Sequence, residues 1–542
     1  MKFKADQTSQ KLRGGYYTPQ ALADFVTRWV CEKNPESLVE PSCGDGVFLR
    51  SIAKASKNKD VNILAYELFD SEVEKSRRLC NELELSNAKI IEGDFLAWAN
   101  PALINAAPLF DGVLGNPPFI RYQFLEPEFQ KNTENVFKTL GLKFTKHTNA
   151  WVPFLLACVA LLKPNGRMGM VIPSEIIHVL HAQSLRTFLG LQCRKVVIID
   201  PQEIWFEGTL QGAVIILAEK KSDTQDPTEG VGILSVRGQE FLKTPPEKIF
   251  NETVGINGET VKGKWTKALL NLDDLRFITS LLKRKEVHNF KAIADVDVGI
   301  VTGANKFFLV DDETVSRHGL TPYVHPMFGR SEHCKGVIYD DAQHQSNKEK
   351  GNPSNFLYLD QAISTYPKNV QDYIDLGEQE SLHTRYKCGI RSPWYKVPSV
   401  YSTRIGMLKR SHDTPRLISN QIGAYTTDTA YRIRTKNGLD EDLLVYCFIN
   451  PLTAITAELS GRYYGGGVLE LVPSEIENLS IPVPTNIGVD LQRLDEMIRT
   501  MPVEEVLLEH GALILGAIGL NRDEVSRLVS IWLGLKNRRQ RK

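Results

Sequence analysis

Ser37-Leu38-Val39-Glu40-Pro41-Ser42-Cys43-Gly44-Asp45-Gly46 reads as a short apolar strand that runs into a glycine turn and then into a helix from Val47. The same alternation extends on both sides. Upstream, Thr18-Pro19 has the form of an N-cap followed by proline at the first helical position. Leu22, Phe25, Val26, Trp29 and Val30 then recur at helical spacing. Downstream, Val61 to Glu67 is predicted as a strand, Ser71 to Glu84 as a helix, Ala88 to Ile91 as a strand and Phe110 to Gly115 as a strand. A helix follows over Ala150 to Leu162, then a strand over Met168 to Ile172, a helix over Ser174 to Leu189, and strands over Lys195 to Asp200 and Gly212 to Ala218. Alternation of this kind predicts an α/β fold, a mostly parallel Rossmann-like sheet with helices on both faces.

The glycine turn lacks the third glycine of a dinucleotide fingerprint, because Phe48 and Leu49 follow instead. A tighter turn suits a nucleoside that carries an amino-acid tail, such as S-adenosylmethionine. Glu67 ends the second predicted strand, about twenty residues after the turn, where an acid holds ribose hydroxyls. Asp94 follows the third strand and is placed to accept from an adenine amino group. Glu40 and Asp45 line the turn, where negative charge suits an ammonium and a sulfonium.

Leu114-Gly115-Asn116-Pro117-Pro118-Phe119 closes the next strand. Pro117 pushes Asn116 out of the helical region, and the two prolines stiffen the turn. The amide oxygen of Asn116 and the carbonyl of Pro117 can accept two hydrogens from an exocyclic amino group, with Phe119 stacked on its ring.

With 542 residues, 42% hydrophobic and 24% charged, the chain is long enough for about three domains. The expected boundaries are 1–245 for the α/β domain, 246–485 for an irregular α+β domain and 486–542 for a helical tail. The basic end, Lys536 to Lys542, is expected to be solvated and disordered. The eight cysteines are scattered without metal-ligand spacing, which predicts reduced thiols, no metal and a cytoplasmic setting. No signal peptide and no membrane span are expected, since the longest apolar run, Ala150 to Leu162, is too short to cross a bilayer.

The formal net charge is zero, so a nucleic-acid surface has to be a local patch. Arg385 to Arg410 holds seven Lys or Arg and no Asp or Glu. Arg385, Lys387, Arg391, Lys396, Arg404, Lys409 and Arg410 are its cations, with Trp394 among its aromatics, and they form the candidate DNA-binding set. Arg121 and Tyr122, with Lys143, Lys146 and His147, belong to a long segment after the proline turn. That segment reads equally as a lid that orders on DNA and as an ordinary surface loop.

These motifs together resemble the γ-class N6-adenine DNA methyltransferases of restriction–modification systems, the TaqI methyltransferase type. Gly15-Tyr16-Tyr17-Thr18-Pro19 resembles the family's N-terminal cofactor motif, and Val39 to Gly46 its glycine motif. The resemblance implies cofactor contacts at Tyr17, Thr18, Glu40, Ser42, Cys43, Gly44, Asp45, Gly46, Glu67, Asp94, Phe95 and Asn116. It implies catalysis by Asn116, Pro117 and Phe119. It also implies that Phe206, in Ile204 to Thr209, closes the other face of the target base. Val298 to Gly303 and Gly461 to Gly467 are similar to segments of the family's target-recognition region. Double-stranded DNA, a separately acting endonuclease and a monomeric enzyme are the implied setting.

Three rivals have to be weighed, of which the first is the nearest. Asn-Pro-Pro-aromatic turns also serve methyltransferases of RNA and of protein glutamine amides. A non-catalytic DNA-binding module with a decayed cofactor site is a second. Asp200, Glu219 and Lys221 have the spacing of a metal nuclease, but they fall on the last predicted strands of the sheet.

Overall fold

The structure is a computed structural model that describes residues 18–58, 60–105, 108–203, 212–256, 263–464 and 466–541. It divides into two compact units, one running to Asn271 and taking in Arg541 as well, the other spanning Leu272–Gln540.

The first unit is built on an eight-stranded sheet in the order β3-β2-β1-β4-β5-β7-β6-β8. The strands are β1 (Ser37–Glu40), β2 (Asn62–Glu67), β3 (Ala88–Glu92), β4 (Phe110–Gly115), β5 (Leu162–Pro173), β6 (Cys193–Pro201), β7 (Ala213–Lys220) and β8 (Gly230–Val236). All neighbours are parallel except those of β7, which runs antiparallel between β5 and β6. The order turns back at β1, between β2 and β4. A crevice forms at such a reversal, outside the carboxyl ends of the strands. The glycine turn after β1 and the proline turn after β4 both open there.

The helices that matter here are α1 (Gln20–Cys31), α2 (Val47–Ala55), α3 (Asp70–Glu82), α4 (Phe95–Ile104), α5 (Pro127–Thr139), α6 (Trp151–Leu161) and α7 (Gln183–Gln192). The sheet separates two apolar cores. α1, α2 and α3 contribute to one, and α4, α5, α6 and α7 to the other. α1 lies close on the sheet because Gly112 in β4 has no side chain. A Cβ there would come within 2.3 Å of Val30 and 2.6 Å of Leu38.

The structure corrects several local expectations. Thr18 does not cap α1. That helix starts at Gln20 after Pro19, with the Leu22 and Ala23 amides donating to the Pro19 carbonyl. The predicted helix over Ser174 to Leu189 is broken into short 3-10 turns, Ser174–Ile177 and Leu180–Ala182, before α7. The buried Arg186 guanidinium takes the carbonyls of Ile176 and Val179, both at 2.9 Å, and so satisfies the break that periodicity does not reveal. β8 (Gly230–Val236) adds a last parallel strand that the sequence pattern did not announce. The division between units falls at Asn271, beyond the expected 245.

The second unit is an irregular α+β assembly, as its Gly-, Pro- and Tyr-rich texture predicts. A five-stranded sheet runs in the order Ala294–Val298, Ala430–Thr435, Ile405–Leu408, Leu417–Asn420 and Ile338–Tyr339. The segment from 486 is not a third body. Its helices Leu491–Thr500, Val503–Gly516 and Arg522–Gln540 belong to this unit. The basic end is not a loose tail either. Arg539 is 3% exposed and donates to both oxygens of the buried Glu458 at 2.8 Å. The same guanidinium bonds the carbonyls of Gly467, His412 and Asp413. Among the described residues no single helix is long and apolar enough to cross a membrane.

Candidate active site

The glycine turn is braced from below. Ser76 of α3 donates to the Gly44 carbonyl at 2.8 Å, and the Cys43 amide bonds the Tyr66 carbonyl at 2.8 Å. Gly46 has φ +88°, and a Cβ there would sit 2.7 Å from Leu79, so the turn requires glycine. Glu67, at the end of β2, folds over this turn. One of its oxygens accepts from the Gly44 amide at 2.9 Å, the other from the Leu68 and Phe69 amides at 2.8 and 3.1 Å. These bonds fix the carboxylate rotamer, while burial pushes its pKa up.

Glu40 is 1% exposed, and neither carboxylate oxygen has a hydrogen-bond partner. Burial first, then the charges of Glu67 and Asp45, hold its carboxyl well above the usual range. Asp94 caps α4 by accepting from the Leu96 amide at 2.8 Å and also accepts from Asn132 of α5 at 2.9 Å. Two predicted cofactor side chains turn away. Phe95 is 1% exposed and lies in the core against Tyr66 and Phe154. The Cys43 thiol is 3% exposed and faces Ser76. Their side chains serve the scaffold, so only the main chain at these positions is left for a ligand.

The proline turn stands beside the glycine turn and is bonded to it. Ser42 donates to the main-chain carbonyl of Asn116 at 2.9 Å. The Asn116 amide nitrogen donates to the Thr18 hydroxyl at 3.1 Å, which ties the end of β4 to the segment before α1. Pro117 is buried and Phe119 half-buried, packed against the core. The chain leaving the turn is stapled to the start of α6. Ala150 donates to the Ile120 carbonyl at 2.8 Å and Tyr122 to the Thr148 carbonyl at 3.2 Å. Asn149 in turn donates to the buried carboxyl of Glu175 at 3.0 Å. Tyr17 and Phe206 lie outside the described residues.

The segment after the turn carries a short 3-10 turn, Tyr122–Phe124, and then α5. Tyr122 is 6% exposed, with its hydroxyl donated to Glu134, so it is not a DNA-facing ring. Arg121 is exposed. The basic stretch of the second unit divides in two. Arg391 donates to the Val301 and Thr302 carbonyls at 2.6 and 2.8 Å. Arg404 pairs with Asp442 at 3.4 Å, and Lys409 and Arg410 pair with Glu470 at 3.4 and 2.6 Å. Trp394 is 8% exposed and bonds Glu378 at 3.0 Å, so the interleaved aromatic belongs to the core. Arg385, Lys387 and Lys396 stay exposed, beside Tyr386 at 77% exposure.

Comparison with known proteins places residues 2–252 in the family described as N-6 DNA Methylase. The chain is a DNA methyltransferase whose N-terminal part is similar to this family. Residues 262–515 match the C-terminal domain of Type II methyltransferase M.Eco57I. Type II methyltransferase M.AccI of Acinetobacter calcoaceticus is 24% identical over 475 residues, covering 85% of this chain and 84% of that protein. M.BanIII of Aneurinibacillus aneurinilyticus is 24% identical over 352 residues, 55% of this chain and 58% of its own length. Among solved structures, a DrdV–DNA complex matches with a TM-score of 0.48 at 13% identity, over 90% of this chain and 57% of that one.

The methyl donor of such a methylase is S-adenosylmethionine, and the residues present fit it. Glu40 is a buried carboxyl without a partner at the end of β1, beside Glu67 and Asp45, and this excess of acid calls for a cationic ligand. The nuclease reading does not survive in the methylase. Glu219 is bound by Arg167 and Arg194 at 3.1 and 2.8 Å, and Asp200 is buried within β6. Among the described residues no group of acids, histidines and cysteines is arranged to hold a metal. Sequence reading missed Ser76, Asn132, Asn149 and Glu175. Of these only Glu175, an acid just past a predicted strand end, carried a local signal.

Proposed function

We propose that this methylase modifies N6 of an adenine rotated out of duplex DNA, as a γ-class enzyme and a monomer. In this reading it acts in the cytoplasm beside a separately acting endonuclease. The observation that carries the reading is the Ser42–Asn116 hydrogen bond, which joins the cofactor turn to the proline turn at the reversal of the sheet. An adenine inside a duplex cannot reach that crevice, so the base has to leave the stack. When bound, S-adenosylmethionine supplies an electrophilic methyl group on a sulfonium.

The protein's own part is positional. Glu67 orients the ribose, Asp94 the adenine of the cofactor, and Glu40 and Asp45 balance the positive charge. The N6 lone pair of the target is delocalised into its ring. Asn116 Oδ1 and the Pro117 carbonyl accept the two N6 hydrogens, which lets the nitrogen pyramidalise toward the methyl. Thr18 anchors the amide group of Asn116 beside the cofactor turn. Phe119 and Phe206 enclose the ring, each stack contributing about 1–3 kcal/mol toward the cost of flipping. The exposed Arg385, Lys387 and Lys396 contact phosphates, with Arg121 near the flipped base.

Asn116→Ala tests the assignment. Loss of one preorganised polar group typically costs about 100- to 1000-fold in rate. The variant is expected to bind duplex DNA and still extrude the target, read by 2-aminopurine fluorescence. A near wild-type transfer rate would remove the proline turn from catalysis.

A further inference from the structure

Asp94 is expected to accept the amino group of the cofactor's adenine, yet both of its oxygens already have a partner. Asn132 Nδ2 lies 2.9 Å from Asp94 Oδ2, while Asp94 Oδ1 caps α4 through the Leu96 amide. Asn132 is itself anchored, since Asn100 of α4 donates to its carbonyl at 3.1 Å. Two residues along the same helix, Glu134 accepts the hydroxyl of Tyr122. Gln130 donates to the Tyr122 and Leu125 carbonyls, both at 3.0 Å. Residues i and i+2 of a helix face different sides. α5 therefore holds Asp94 on one side and the chain leaving the proline turn on another.

We propose that Asn132 is a positioning residue for the cofactor's adenine. By holding Asp94 Oδ2 it keeps that carboxylate aimed as the acceptor for the exocyclic amino group, and through α5 it ties this acceptor to residues 120–125. A carboxylate oxygen carries two lone pairs, so Asn132 and the adenine share Oδ2 without competing. Burial raises the pKa of Asp94, and the hydrogen bond from Asn132 lowers it. Asn132 thus also favours the ionised form, which accepts a hydrogen bond and rejects a ring that presents a carbonyl instead.

The inference rests on the cofactor reading of Asp94, and its test separates the two. The full chain is titrated calorimetrically with S-adenosylhomocysteine and with its inosine analogue, which has a carbonyl in place of the amino group. The unmodified protein is expected to prefer the adenosine form by about tenfold or more, the scale of a charge-assisted hydrogen bond. Asn132→Ala is expected to narrow that preference to below about threefold, while Tyr122→Phe, which leaves Asp94 untouched, keeps most of it. Asn132→Asp, of the same size, is expected to weaken adenosine-form binding further as pH rises, because two facing carboxylates repel. If the unmodified protein does not discriminate, the role of Asp94 fails and the proposal with it. If Asn132→Ala discriminates as well as the unmodified protein, the role of Asp94 stands and Asn132 is overturned alone.

Discussion

Two clusters of buried charge in this molecule behave in opposite ways. At the glycine turn, Glu40 is buried with no counter-ion and no hydrogen bond, with Glu67 and Asp45 close enough to raise its pKa further. In the second unit, Glu458 is just as buried, but Arg539 neutralises it through two hydrogen bonds. Arg539 then satisfies its remaining donors on three main-chain carbonyls. Both clusters are costly to desolvate, and only the second contains its own compensation. A complete pair is architecture. An incomplete one marks a place where a ligand supplies the missing charge.

Breaking the complete pair gives the largest expected effect. Arg539→Ala leaves Glu458 buried and unpaired, and should cost about 3–5 kcal/mol of stability, read by chemical denaturation. If the loss is under about 1 kcal/mol, the pair is not structural in this sense. On the incomplete side, Glu67→Ala should leave stability nearly unchanged and weaken S-adenosylmethionine binding by about 1–3 kcal/mol, measured by calorimetry.

Glu40→Gln sharpens the contrast because its two effects have opposite signs. The pKa of Glu40 is raised in the folded protein, so its favourable contribution holds at low pH. That contribution is lost as pH rises from the unfolded carboxylate value toward the folded one. Thermal melts without cofactor should therefore show the variant gaining on the unmodified protein as pH rises, whereas its cofactor affinity should fall. An affinity equal to that of the unmodified protein at every pH would take Glu40 out of the site. Smallest of all, neutralising Arg385, Lys387 and Lys396 together should lower the salt slope of DNA binding by about three units, with little effect on folding. An unchanged slope places the DNA elsewhere.

The first unit was readable because its signals are local. A short apolar run, a glycine turn and a helix at 37–55 need no distant partner to be recognised, and the acids at the ends of successive strands follow from them. What the sequence hid has a common cause, which is that it displays a polar group without its partner. Thr18 has the form of a cap, but its hydroxyl belongs to Asn116, far along the chain. Arg404, Lys409 and Arg410 read as unpaired cations, but Asp442 and Glu470 stand beside them. The basic terminus reads as a solvated tail until Glu458 and Glu504 meet it. Asn132 gave no signal at all, because an asparagine inside an amphipathic helix is ordinary until Asp94 is opposite it.

The clamp at Arg539 also sets a schedule. The second unit begins at Leu272, yet residues near its middle, His412 and Asp413, and the glycine-rich turn at Gly467 are held by a side chain almost at its end. At about 5–20 residues per second of synthesis, the eight strands of the first unit's sheet emerge ten seconds or more before that side chain leaves the ribosome. During that interval the nascent chain can already pair the strands of that sheet, while the second unit lacks its last helix. The order of synthesis thereby delays completion of the second unit until the whole of it has been made.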